Sequence, residues 1–233
     1  MTIITFGDSL AEGGRSISKT SDGGYLISVF TFSSGEGNSD ALLLKTDADG
    51  NQQWACTVGG ILPDYANSAI ETDDGYYLAC GFTFSSGAGN RLPFPGYGWW
   101  GDRDACLRKV DTSGNLLFEK KYNQASYQQW ANAVMETPDH HFLIAGNNDI
   151  TSSELLNAYL VKTSSEGVKE WSKSYGEGTF YDYGNAIVQG SDSNYLICGT
   201  TKSVATWNDI YFLTVNKSGT LLHKVIVGEE GFD

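Results

Sequence analysis

Proline is scarce in this chain, 4 residues in 233, which disfavours proline-stiffened linkers between modules. Positive charge is scarce as well: 15 Lys and Arg stand against 28 Asp and Glu, a formal charge of −13. No basic run occurs, which argues against nucleic acid and against anionic membrane surfaces as partners. No apolar run approaches the roughly 18 residues that a membrane helix needs. The opening "MTIITFGDSL" has no basic n-region and no long apolar stretch, so no signal peptide is expected. The 4 cysteines, Cys56, Cys80, Cys106 and Cys198, show no C-x-x-C spacing and read as small buried hydrophobes. Cys80 with Cys106 is the pair to examine for a bridge. Helical periodicity is missing too: no segment sustains apolar residues at i, i+3, i+4 and i+7 over three turns.

What the chain does have is glycine, 28 residues, with 40% hydrophobic and 13% aromatic content. That suits a real core with many tight turns. It also repeats itself. "TSDGGYLISVFTFSSGEGN" (20–38) matches "TDDGYYLACGFTFSSGAGN" (72–90) without a gap, and "TPDHHFLIAGN" (137–147) and "GSDSNYLICGT" (190–200) follow. A second block comes after each: "DALLLKTDADGNQQW" (40–54), "DACLRKVDTSGNLLF" (104–118), "NAYLVKTSSEGVKEW" (157–171) and "DIYFLTVNKSGTLLH" (209–223). Each unit holds four short alternating segments joined by Gly- or Asn-bearing turns, the pattern of antiparallel strands. Four such strands recurring every fifty-odd residues predict an all-β propeller of four four-stranded blades, a single domain over 1–233. Its units run approximately over 8–59, 60–123, 124–176 and 177–228.

Recurring residues then take scaffold roles. Leu26, Leu78, Leu143 and Leu196 share one position of the second strand and are expected to pack between blades. Trp54, Phe118, Trp171 and His223 open the fourth strand. Asp22, Asp74, Asp139 and Asp192 hold the first hairpin, and Asp40, Asp104, Asn157 and Asp209 precede the third strand, where they are expected to bond turn N–H groups. The pattern Asp-Gly-Gly-Tyr-Leu, Gly-x-Gly-Asn, then Asp-x-x-Leu-x-Lys-x-Asp-x-x-Gly-Asn-x-x-Trp resembles propeller repeats of secreted or surface-attached bacterial and archaeal proteins. Those are loosely related to kelch and quinoprotein-type propellers. The resemblance implies a binding or display module outside the cell or at its surface, and no quinoprotein cofactor residues can be placed on it.

The chain opens on a fourth-type strand (2–7) and closes on another (221–228), so one is surplus. A surplus strand can extend a blade, join a longer array or pair with a second copy in a homodimer.

"TFGDSL" (5–10) resembles the first block of GDSL esterases, with Ser9 as nucleophile, and "GNND" (146–149) resembles their Gly-x-Asn-Asp block, with Asn148 as oxyanion donor. That family also needs an Asp-x-x-His. Thr137, Pro138 and Thr220 stand three residues before His140, His141 and His223, so it is missing. In repeat register "FGDSL" is the loop joining a fourth strand to the next unit. A hydrolase, either esterase or carbohydrate-active, is therefore the alternative reading.

If recurrence marks scaffold, departures mark candidate sites. The largest is "RLPFPGYGWWGDR" (91–103), standing where the first unit has only Ser39. Phe94, Tyr97, Trp99, Trp100 and Asp102 on it suit stacking on sugar rings or anchoring a protein partner. The same rings can instead fold back and plug a gap. Arg15 stands where the other units have Asn67, Asn132 and Asn185, and can hold an anion, cap strand ends or pair with Glu12. His140–His141 has no metal-ligand spacing and reads as a turn; "DADGN" (47–51) is similar to a calcium loop, but its counterparts "DTSGN", "SSEGV" and "NKSGT" lose the acids and the bidentate Glu is missing, so it reads as a hairpin. No metal and no cofactor are expected. The function expected is a non-catalytic binding or scaffold module using the 91–103 loop.

Overall fold

The computed structural model describes residues 3–7, 9–36, 39–84, 103–122, 128–149, 156–176, 181–202 and 209–228. The chain divides into two compact units, Met1–Lys121 and Tyr122–Asp233. Sixteen strands form four four-stranded antiparallel sheets, each built from consecutive strands in sequence order.

In the first unit, β1 (Glu12–Lys19), β2 (Tyr25–Thr31), β3 (Asp40–Thr46) and β4 (Gln52–Val58) make one sheet. The next is β5 (Asp64–Glu71), β6 (Tyr77–Thr83), β7 (Asp104–Val110) and β8 (Leu116–Tyr122). Strand β5 packs over β1, β2 and β3. Leu26, Ala41, Leu43 and Val58 from one sheet meet Ala66, Ala69, Tyr77, Ala79 and Val110 from the other. Small alanines on β5 and β6 let the sheets approach closely, and each buried leucine contributes on the order of 2 kcal/mol.

The second unit repeats the plan. Strands β9 (Gln129–Glu136), β10 (Phe142–Asp149), β11 (Leu156–Thr163) and β12 (Lys169–Tyr175) form one sheet. Strands β13 (Asp182–Gln189), β14 (Tyr195–Thr201), β15 (Asp209–Val215) and β16 (Leu221–Val227) form the other. Leu143, Ala158 and Leu160 pack against Ile187, Tyr195, Ile197, Tyr211 and Leu213. Equivalent positions are thus used in both units: Leu143 stands for Leu26 and Leu160 for Leu43.

Each first strand carries a bulge, where one extra residue faces the second strand. The register shifts between Gly14 and Ser16, between Ala66 and Ser68 and between Gly184 and Ala186; on β9 it shifts at Asn132. The extra residues are Arg15, Asn67, Asn132 and Asn185, the four positions that aligned in the sequence.

Two expectations are corrected. Residues 3–7 form no strand, and among the described residues no sheet has a fifth member. Thr-Ile-Ile-Thr-Phe has strand propensity, but propensity without a ladder to join does not make a strand. Ile3 stays exposed and Phe6 lies at the margin of the first sheet's face. A homodimer through a surplus strand therefore loses its basis. Leu196 also departs from its group: Leu26, Leu78 and Leu143 are fully buried, whereas Leu196 is 36% exposed because nothing described covers its face of the last sheet. The cysteines are free thiols. Cys80 stands opposite Leu107 and Cys106 opposite Gly81, so the two sulfurs leave opposite faces of the sheet.

Candidate functional site at the loop end of the sheets

The two ends of every sheet differ. At one end the connections are tight turns whose polar groups are consumed internally. Thr20 Oγ1 donates to Asp22, Thr72 to Asp74 and Thr137 to Asp139. A lysine from the third strand then grips the same carboxylate: Lys45 to Asp22 at 2.7 Å, Lys109 to Asp74 at 2.7 Å and Lys162 to Asp139 at 2.9 Å. The bond from Lys45, with those from Thr20 and Gly24, holds Asp22 at about 2. Burial pushes Asp139 upward, but its bonds from Thr137 and Lys162 outweigh that and bring it to about 2. In the "DADGN" turn Asp47 Oδ1 accepts from the N–H groups of Asp49 and Asn51, so this carboxylate closes a hairpin. His140 takes a positive φ of 58° in its turn and bonds Glu136, while His141 Nδ1 lies 2.8 Å from a Glu170 carboxylate oxygen.

At the other end leave the connections that vary in length, including 91–103, and there each sheet carries a buried polar row. In the last sheet Thr201 Oγ1 donates to Asp182, and Asp209 stands next in register. In the first, Thr31 Oγ1 donates to Glu12 at 3.2 Å and faces Asp40. In the sheet of β9–β12 the row is amides: Asn148 lies opposite both Gln129 and Asn157. Asn148 Nδ2 donates to Ser174 Oγ, while Asn148 Oδ1 and Asn157 Nδ2 have no hydrogen-bond partner among the described residues. Asn132 Nδ2 donates to Gly184 O and to Asn147 Oδ1, which also accepts from Gly184 N-H. That bulge asparagine is a strut between two sheets.

In the first unit this end carries a ladder of rings and guanidinium groups. Phe30 meets Phe32 edge-on at 5.8 Å and Tyr65 at 5.8 Å. Tyr65 stacks on Phe82 at 4.7 Å, and Phe82 meets Phe84 at 5.9 Å. Arg15 lies over Phe30 at 5.0 Å and Tyr65 at 5.8 Å; Arg103 lies over Phe82 at 5.3 Å and Phe84 at 5.5 Å. Such contacts contribute roughly 0.5–1 kcal/mol each where exposed and more when desolvated. Burial pushes the Arg103 pKa down, so its charge is held by rings in a partly dry setting. Gly13 makes room: a methyl there would run into the Phe30 ring. Arg15 is exposed, and among the described residues no carboxylate lies within ion-pair distance of it, so the expected pairing with Glu12 is not formed.

The ladder joins two departures that were separate in the sequence, Arg15 and the foot of the long loop. Phe94, Tyr97, Trp99, Trp100 and Asp102 lie outside the described residues. Ser9 is described: it is exposed in the bend before β1, and the strand that follows it is antiparallel.

A further feature was missed in the sequence. Arg108 on β7 is fully buried, where the other units place Leu44, Val161 and Leu213. Its Nε donates to Glu119 at 2.7 Å, Nη2 to Asp64 at 3.1 Å and Nη1 to Tyr65 O at 3.2 Å. Burial opposes the charge, but the carboxylates of Glu119 and Asp64 more than offset it and raise the guanidinium above its ordinary value. The Cys106 thiol beside it is pushed up to about 12 by burial. The visible signal was a charged residue inside an apolar alternation. Arg108 ties Tyr65, a rung of the ladder, to the interior of its sheet.

These features define an all-β repeat protein of four four-stranded antiparallel sheets. No protein-family model matches the chain, and no curated protein is significantly similar to it.

Proposed function

We propose that the protein is a non-catalytic binding or scaffold module whose sheets are the blades of a β-propeller, working outside the cell or at its surface. It recognises a glycan or protein partner through the 91–103 loop and the ladder to which Arg103 belongs. One observation carries this reading: Arg15 and Arg103 flank a single ladder of rings at the end from which that loop departs. Half-buried rings with the exposed Phe32 and fixed polar groups beside them suit the alternately apolar and hydroxylated faces of sugars, and equally a protein anchor. The recurring carboxylates and lysines support the scaffold half of the reading, because they are spent on one another. The propeller reading is supported by the repeated packing of one sheet's first strand over the preceding sheet's first three.

The test is retention of the intact chain on immobilised neutral glucans, mannans and uronic-acid polymers, with a Trp99→Ala/Trp100→Ala variant beside it. Retention lost in the variant at unchanged melting temperature supports the reading. A fall in melting temperature with retention intact assigns those rings to packing and overturns the loop's role. Hydrolysis of p-nitrophenyl esters that disappears in Ser9→Ala would overturn the non-catalytic assignment.

A further inference from the structure

Three of the four first hairpins hold their aspartate in one way, and the last does not. In the first three a threonine hydroxyl and a lysine ammonium converge on the carboxylate: Thr20 and Lys45 on Asp22, Thr72 and Lys109 on Asp74, Thr137 and Lys162 on Asp139. In the last, Gly190 stands for the threonine and Thr214 for the lysine; Thr214 faces Leu196 in register as Lys45 faces Leu26. Both donors are replaced while the frame is kept. Gly190 N–H donates to Asn194 O and Ser193 N–H to Gly190 O, as Thr20 N–H does to Gly24 O and Gly23 N–H to Thr20 O. Asp192 Oδ1 accepts from Asn194 N–H at 3.0 Å, as Asp22 Oδ1 does from Gly24 N–H at 3.0 Å. Among the described residues Asp192 Oδ2, the counterpart of the oxygen that Lys45 grips, accepts from Asn194 Nδ2 alone, at 2.7 Å. A carboxylate oxygen has room for a second donor. Beside it opens a cavity of about 230 Å³ whose lining includes Gly190, Asp192, Asn194, Leu196 and Thr214. Gly190 and Thr214 are the two replacements, so this is space that the smaller residues leave beside the carboxylate.

We propose that this hairpin binds an unbranched primary ammonium group, the head and stem that Lys45, Lys109 and Lys162 supply from within at the other three. The head donates to Asp192 Oδ2, a charge-assisted bond, and a short stem lies along Leu196 and Thr214. A water's share of liquid volume is about 30 Å³, so the cavity holds such a head with a stem of a few carbons. One carboxylate falls well short of the roughly six to eight oxygens that calcium takes, so an N–H donor suits the site better than that ion. Every residue named belongs to the last sheet and its hairpin, at the tight-turn end. The site therefore needs no neighbouring sheet, and it is independent of the 91–103 loop.

The test is titration of the isotope-labelled full chain with n-propylammonium chloride, followed through the amide resonances of Asp192, Ser193 and Asn194 and the Asn194 side chain. Tetramethylammonium chloride at equal ionic strength is the control, since it carries the charge without an N–H. The expected result is a saturable shift in the millimolar range with propylammonium only. The hairpins of Asp22, Asp74 and Asp139 are expected to stay still, because their own lysines hold the carboxylates. Thr214→Lys supplies the cation from within, so it is expected to abolish the response and raise the melting temperature; Asp192→Asn is expected to abolish the response alone. A wild type without a saturable shift overturns the inference, and that is also the result if a lysine of the same chain fills the cavity. A shift that tetramethylammonium reproduces, or that persists in Thr214→Lys, overturns it as well.

Discussion

Lys45 Nζ lies 2.7 Å from Asp22 Oδ2, with further bonds to Thr46 O and to Gln53 Oε1. Gln53 is the extra residue of the bulge between β3 and β4, so one lysine fastens a hairpin, a strand and a bulge. Replacing it with methionine keeps the stem and removes the charge. The expected cost for Lys45→Met is about 2 kcal/mol, read as a melting temperature lower by about 4–8 °C. In the last unit Thr214 takes the lysine's place, and Asp192 instead bonds the Asn194 side chain.

Acid sensitivity follows from the same carboxylates. The folded values of about 2 for Asp22 and Asp139 lie below the unfolded value of about 3.9, so folding favours the ionised form. Their contribution is fully present above pH 4 and is lost as pH falls from about 4 through about 2. Asp139→Asn is expected to be less stable than wild type at pH 7 and to show a flatter decline below pH 4. Urea unfolding at stepped pH measures both slopes.

Arg108 and Glu119 are a matched departure. At the same paired positions the first sheet has Leu44 with Ala55. Arg108→Leu alone leaves Glu119 with only Lys121, at 3.3 Å, and takes the guanidinium from the buried Asp64, and is expected to cost about 3 kcal/mol. Arg108→Leu with Glu119→Ala copies the first sheet's pair and is expected to recover more than half of that. Equal loss in the single and double variants would contradict the pairing.

The ladder makes a prediction through Gly13. Gly13→Ala displaces the Phe30 ring and with it the seat of Arg15. Retention on the polymers that bind wild type is expected to weaken severalfold, with melting lowered by no more than about 4 °C. Near-ultraviolet circular dichroism reads the change in ring packing.

Ser193 holds φ 65° where Gly23 and Gly75 stand in the first two hairpins. Ser193→Gly relieves a left-handed backbone and is expected to stabilise by about 1 kcal/mol, offset in part by glycine's extra freedom when unfolded. Differential scanning calorimetry shows this as a rise of about 2–4 °C.

The strands, their turns and the capping aspartates were legible because each is written several times over, and a residue that recurs in one place is read against its own copies. Leu196 shows where that method stops: its identity matches Leu26, but burial depends on what covers the sheet, which no repeat encodes. Residues 3–7 fail for the complementary reason, since strand propensity is local and a ladder is not. The ladder was half visible. "FTFSSG" occurs in the first two repeats only, yet nothing in a string places Tyr65 between Phe30 and Phe82. Arg108 is legible as a charge among apolar residues, but its pairing is not, because Asp64 lies on another strand 44 residues away.

The central claim is that recurrence builds the scaffold and the long loop makes the contact. Deleting residues 91–102, so that Arg103 stands where the first unit has Ser39, tests it most directly. Retention on the polymer panel and the melting temperature are measured on the same sample. The account predicts that retention disappears while melting stays within about 4 °C of wild type. Retention at the wild-type level, or a melting temperature lower by about 10 °C, would contradict it.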